Sequence, residues 1–80
     1  MTVWRFRLGS VAHMPRGARI VHVGTPEGVL TLWAEVDPDA EKTLRTFEVF
    51  GTGQHIPDHC VHLHTWIEGP YVWHLYEVPA

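Results

Sequence analysis

The chain has 80 residues, with nine Asp and Glu against six Lys and Arg, a net charge of −3, and seven His beside them. That length allows one domain near the lower limit for a core that is stable unaided, and the charge argues against a duplex nucleic acid as partner. The single cysteine, Cys60, rules out an intrachain disulfide, so self-association or a metal is the expected supplement.

No apolar run approaches the roughly 18 residues of a membrane span, and Met1-Thr2-Val3-Trp4-Arg5 does not read as a signal peptide. One free thiol suits a reducing compartment, and the expected location is the cytoplasm.

Along the chain, Val3 to Leu8 alternates, with Trp4, Phe6 and Leu8 on one face and Arg5 and Arg7 on the other, which predicts a half-buried strand. Gly9 to Gly17 reads as a connection carrying the turn signature Met14-Pro15-Arg16-Gly17. Ala18 to Gly24 is the second expected strand, and Thr25-Pro26-Glu27-Gly28 closes a hairpin into a third, Val29 to Val36. Asp37 to Lys42 is an acidic turn, read as a single helical turn capped by Asp37. Leu44 to Phe50 is the fourth strand. Val61 to Glu68 and Tyr71 to Val78 are the fifth and sixth, joined through Glu68-Gly69-Pro70. Turn signals about every ten residues, without a convincing helix, predict an all-β fold: a small antiparallel sandwich or partly open barrel of about six strands.

The stretch from Arg45 to Asp58 stands out. It starts as a strand, breaks at Gly51-Thr52-Gly53 and runs through Gln54 and His55 to Pro57. Gly51 and Gly53 would let bare backbone N–H groups face an anion, Thr52 adds a hydroxyl, and Arg45 on the same strand offers charge. The structural alternative is a bulge or strand corner with no ligand, and by glycine's ordinary positional uses it has more weight. Trp33, Trp66 and Trp73 could each wall a purine-like ring, although core packing is the commoner fate of a tryptophan in so small a chain. Trp33 and Trp66 are preferred because each shares its strand face with polar neighbours. For Trp66 these are His62, His64 and Glu68. Cys60, His62, His64 and Glu68 also make an alternative metal-ligand row, since alternate strand residues face one way. Its plain reading is a row of surface histidines.

Several strings occur together: Met14-Pro15-Arg16-Gly17-Ala18, Leu32-Trp33-Ala34-Glu35-Val36-Asp37-Pro38, Arg45-Thr46-Phe47, Gly51-Thr52-Gly53-Gln54-His55-Ile56-Pro57 and Val72-Trp73-His74-Leu75-Tyr76-Glu77. They resemble a family of small proteins carried by phages and prophages. Where that family's string reads GTGH, this chain has Gln54 before His55, which displaces any role of the histidine by one position. In size and economy such proteins are similar to anti-defence proteins, some of which sequester nucleotide signals of bacterial immunity.

Three readings follow. The first is a non-enzymatic homo-oligomer that captures a small, phosphate-bearing nucleotide in the cytoplasm of an infected bacterial host, with no cofactor, duplex nucleic acid or membrane involved. Gly51 to Gly53 would meet the phosphate and Arg45 or Arg16 would offset its charge. Trp33 or Trp66 would stack on the base, and Gln54 and His55 would read edges. Phe47, from the Arg45-Thr46-Phe47 string, joins this expected site. The second is a metal-binding domain or metal-dependent enzyme built on the Cys60, His62, His64 and Glu68 row. The third is a phage structural or adaptor protein that binds another protein through the hairpin around Gly69-Pro70.

Overall fold

Alternating apolar side chains on seven strands are buried between two facing antiparallel sheets. The computed structural model describes residues 1–9 and 11–79. One sheet has three strands in the order β1 (Thr2–Arg7), β4 (Thr31–Val36), β3 (Arg19–Gly24). The other has four, in the order β2 (Val11–Pro15), β5 (Lys42–Gly51), β7 (Tyr71–Val78), β6 (Val61–Glu68). This is an open sandwich. Among the described residues no helix is long and apolar enough to cross a membrane.

The core is drawn from both sheets. Leu32, Ala34 and Val36 of β4 meet Phe47 of β5, Leu75 of β7 and Met14 of β2, all buried, with Val23 of β3 beside them. Each fully buried aliphatic side chain contributes roughly 1.5–3 kcal/mol relative to exposure. Trp4 and Phe6 of β1 pack against this cluster from the inner face, as the alternation predicts, leaving Arg5 and Arg7 outside.

The fold differs from the sequence reading at four places. Val11–Pro15, expected to be connection, is an edge strand paired with β5 from Val11↔Thr46 to Pro15↔Lys42. Pro15 is tolerated because it ends an edge strand, and the turn begins only at Arg16, with Gly17 at φ +80°. The third expected strand starts at Thr31 rather than Val29, because the expected Thr25–Gly28 turn is followed by a second, overlapping one from Pro26 to Val29, with Glu27 and Gly28 both at positive φ. The fourth extends in both directions, to Lys42 and Gly51. Asp37 caps no helical turn: its carboxylate accepts the Asp39 N–H at 3.0 Å and its carbonyl the Ala40 N–H at 3.1 Å, a compact Asx turn.

Each sheet also carries a one-residue irregularity. β3 shifts register between Ile20 and His22, and β6 between His62 and His64. The two shifts lie on strands that abut along one side of the sandwich, where the His22 and His64 rings meet edge-on at 5.5 Å.

Candidate functional site

β5 and β6 both run antiparallel to β7, which lies between them, so they are parallel to each other. The 52–60 connection must therefore cross β7 from one end of the sheet to the other. The inner face is filled by the second sheet, so it crosses outside. Phe50 records this: it pairs with His74 on the outward face and sits edge-on to Tyr76 at 5.5 Å, yet is only 4% exposed. The glycine-rich stretch is the corner that starts this crossing. Gln54 N–H donates to the Gly51 carbonyl at 3.1 Å across a turn whose third residue, Gly53, has φ +91°.

That geometry answers the anion expectation. The Gly51 N–H, expected to face a phosphate, donates instead to Gln54 Oε1 at 2.6 Å. The Thr52 hydroxyl is 3.0 Å from His74 Nε2. Gly51 is glycine for a packing reason, since a Cβ there would lie 3.3 Å from the Trp73 ring. His55 is exposed.

The expected cations are elsewhere. Arg45 does share the inner face of β5 with Gly51, but six residues at about 3.3 Å each place it roughly 20 Å away. Its guanidinium grips Glu77 with Nε to Oε2 at 2.8 Å and Nη2 to Oε1 at 2.6 Å, and Nη1 donates to the Ala18 carbonyl at 2.6 Å. Arg16 lies at that same far end, its backbone N–H bonded to the Glu41 carbonyl and its exposed side chain 4.0 Å from the Glu41 carboxylate. Phe47 is core, 4% exposed, under the Arg45 guanidinium. Trp33 faces outward from the three-stranded sheet against His22, with ring centroids 5.4 Å apart. It cannot share a pocket with Trp66.

The proposed metal row is split by the β6 irregularity. His62 pairs with Tyr76 and His64 with Leu75, adjacent residues that face opposite ways, so the two histidines lie on opposite faces. His62 accordingly contacts Thr65 at 2.7 Å and the Tyr76 ring, while His64 meets His22. Cys60 lies in a turn before the strand, its N–H bonded to the Pro57 carbonyl. Among the described residues no three His, Cys, Asp or Glu side chains gather as a ligand set.

What does come together is aromatic. At the end of the sandwich formed by the Thr25–Leu30 turn, the Gly51–Gln54 corner and the Gly69–Pro70 hairpin, the sheets part. They leave an open recess of about 240 Å³ walled by Leu30, Val49, Trp66 and Trp73, with Thr25 and Glu68 as its polar lining. Trp66 Nε1 is buried without a hydrogen-bond partner. Next to it, a larger recess of about 440 Å³ shares Trp73 and is bounded by Gly51, Thr52, Pro70, Tyr71 and Val72. Tyr71 and Trp73, two apart on β7, stack at 5.6 Å with 26° between planes. Of the residues expected from sequence, Trp66, Gly51 and Thr52 therefore do meet here. Trp73 ranks below Trp33 and Trp66 on sequence alone, and Tyr71 carries no such signal by itself. Their spacing of two beside a Gly-Pro hairpin is the signal that places both on one face.

The whole chain, residues 1–80, matches the model of a domain of unknown function, DUF7352. The chain belongs to that family. Comparison with curated proteins and with solved structures returned no match.

Behind the corner, on the outer face, hydroxyl and imidazole groups alternate in a continuous chain. Thr52 Oγ1 contacts His74 Nε2 at 3.0 Å, His74 Nδ1 contacts Thr65 Oγ1 at 2.9 Å, and Thr65 Oγ1 contacts His62 Nε2 at 2.7 Å. Both nitrogens of His74 are thus engaged, which fixes its ring and ties the corner to β6 and β7.

His64 behaves differently. Burial lowers its pKa below the ordinary 6.5, and the neighbouring His22 and His62 lower it further as like charges. Between 6.5 and that depressed value the unfolded chain binds more protons than the native one, so stability rises with pH there. Its contribution is complete above pH 6.5 and is lost as pH falls through the window. Urea midpoints should consequently drop between pH 8 and pH 5, and His64→Gln should flatten that drop. An unchanged slope in the variant would assign the acid sensitivity to other groups.

Proposed function

We propose that this open end of the sandwich binds the planar ring of a small nucleotide-type ligand, and that the protein acts by holding the ligand rather than converting it. The observation that carries this reading is the recess walled by two indoles, Trp66 and Trp73, with Tyr71 stacked on Trp73 beside it. The stacked Tyr71 and Trp73 rings supply a face that accepts any base, and Glu68 stands where a ring edge would be read. Exposed Ile67 and Tyr71 lie on the hairpin at this end, where a second subunit could deepen a cavity too small for a whole nucleotide. In the phage setting that the sequence strings imply, the ligand would be a nucleotide signal of host immunity.

Native mass spectrometry of protein purified from bacteria that make such signals tests the reading directly. A mass excess of several hundred daltons, released intact on denaturation, is the expected result. A clean apo species that also fails to quench tryptophan fluorescence with added nucleotides would overturn it. The single substitution to pair with it is Trp66→Phe. It keeps a ring on the wall with less stacking surface, so affinity should fall about three- to tenfold. Stability should change by less than about 1 kcal/mol, because lost burial is offset by removing the stranded N–H. Unchanged affinity would deny the Trp66 ring any part in binding.

A further inference from the structure

Three of the five arginines have acidic partners: Arg45 with Glu77, Arg19 with Glu35 at 3.6 Å, and Arg16 loosely with Glu41. Arg5 and Arg7 differ. Among the described residues neither makes an ion pair or a side-chain hydrogen bond. They alternate on the outward face of β1, opposite Trp33 and Thr31, and both line a recess of about 150 Å³ closed by Pro26, Glu27 and Val29 of the Thr25–Leu30 turn.

From this geometry we infer a phosphoryl-binding site between Arg5, Arg7 and the Pro26–Val29 turn. The site is separate from the aromatic cavity, on the other side of the Thr25–Leu30 turn, and does not rest on the ring-binding reading. Two strand residues apart, the α-carbons of the arginines are roughly 7 Å from each other, so both guanidinium forks reach one centre. Two forks carrying +2 match a phosphate dianion, whose oxygens can satisfy both. A monocarboxylate can satisfy only one fork bidentately. The recess polarity fits this use. The Thr31 hydroxyl is committed to the Val29 carbonyl at 3.0 Å, which leaves the arginines as the side-chain donors of the wall. Glu27, held at φ +53° by the turn, stands on the rim and would repel the anion, so it tunes the affinity downward. The competing account is that Arg5 and Arg7 are edge-strand charges that prevent sheet-to-sheet aggregation.

The test is a titration of the full chain with inorganic phosphate, followed by NMR at the arginine Nε–Hε and backbone amide resonances, with acetate as the control anion. Phosphate should produce saturable shifts at Arg5, Arg7 and residues 26–31, and acetate should not. Arg5→Gln with Arg7→Gln should weaken phosphate binding at least tenfold, while Arg19→Gln, also at an exposed position, should leave it unchanged. Glu27→Gln should tighten it several-fold. Adenosine monophosphate identifies the source of the phosphoryl group. Affinity equal to that of phosphate means a site for the bare group, and tighter binding means a site for a nucleotide's phosphate; either supports the inference. Absent saturation, or shifts that survive the double substitution, would overturn it, and aggregation of the double variant without any phosphate effect would establish the edge-protection account.

Discussion

Arg45→Ala should lower the melting temperature by on the order of 10–20 °C, a large effect for one substitution in a chain this small. The side chains of Arg45 and Glu77 are 18% and 24% exposed, and the pair is bidentate. Removing the guanidinium strands the Glu77 carboxylate and leaves the Ala18 carbonyl without its donor. Breaking a fully buried pair from one side costs about 3–5 kcal/mol, and partial solvent access here reduces that to about 2–3 kcal/mol. At roughly 4–8 °C per kcal/mol for a domain of this size, the melting shift follows. The pair joins β5 to β7 across the sheet's far end and ties β5 to the start of β3 through Ala18. The loss is therefore structural and not a loss of ligand contact. Arg45→Met combined with Glu77→Leu should recover most of it, because two apolar side chains of similar volume leave no unpaired charge. A melting shift under about 3 °C for Arg45→Ala would show that the pair is solvated in solution and contributes little.

The Arg45–Glu77 pair also marks how far the sequence could be read. Alternation along Thr2–Arg7 and Thr31–Val36 fixed the inward faces correctly, because period-two patterning reports a half-buried strand directly. The Gly69 turn was legible for the same local reason, and its φ of +56° bears out the glycine. What stayed hidden was non-local or unpunctuated. Arg45 meets Glu77 across 32 residues of sequence, and nothing near Arg45 announces the partner. The register shift at Leu63 carries no glycine or proline, so His62 and His64 read as one face although they occupy two. Val11–Pro15 was hidden by its proline, which is a turn signal everywhere except at the end of an edge strand. Of the candidate site, the Gly51 corner was legible as a special place. Its purpose depended on the strand order, in which β7 separates β5 from β6 and turns the glycines into the start of a crossing.

Trp73→Ala should weaken binding of a planar ligand by about 10- to 100-fold, the span expected when one stacking partner worth about 1–3 kcal/mol is removed. Trp73 is the residue common to both recesses, it stacks on Tyr71, and its ring closes over Gly51. It is only half-buried, so truncation should cost less stability than at Leu75, two residues along the same face. Leu75 is fully buried at the centre of the core, where Leu→Ala costs about 2–5 kcal/mol. The two variants thus separate fold from function. Leu75→Ala should lower the urea midpoint strongly while its folded fraction keeps the parent affinity, and Trp73→Ala should show the reverse balance. Fluorescence titration and urea unfolding on both proteins decide the matter. If Trp73→Ala binds nucleotides like the parent, the ring site is not at this end of the sandwich, since no ligand could occupy either recess without touching that indole.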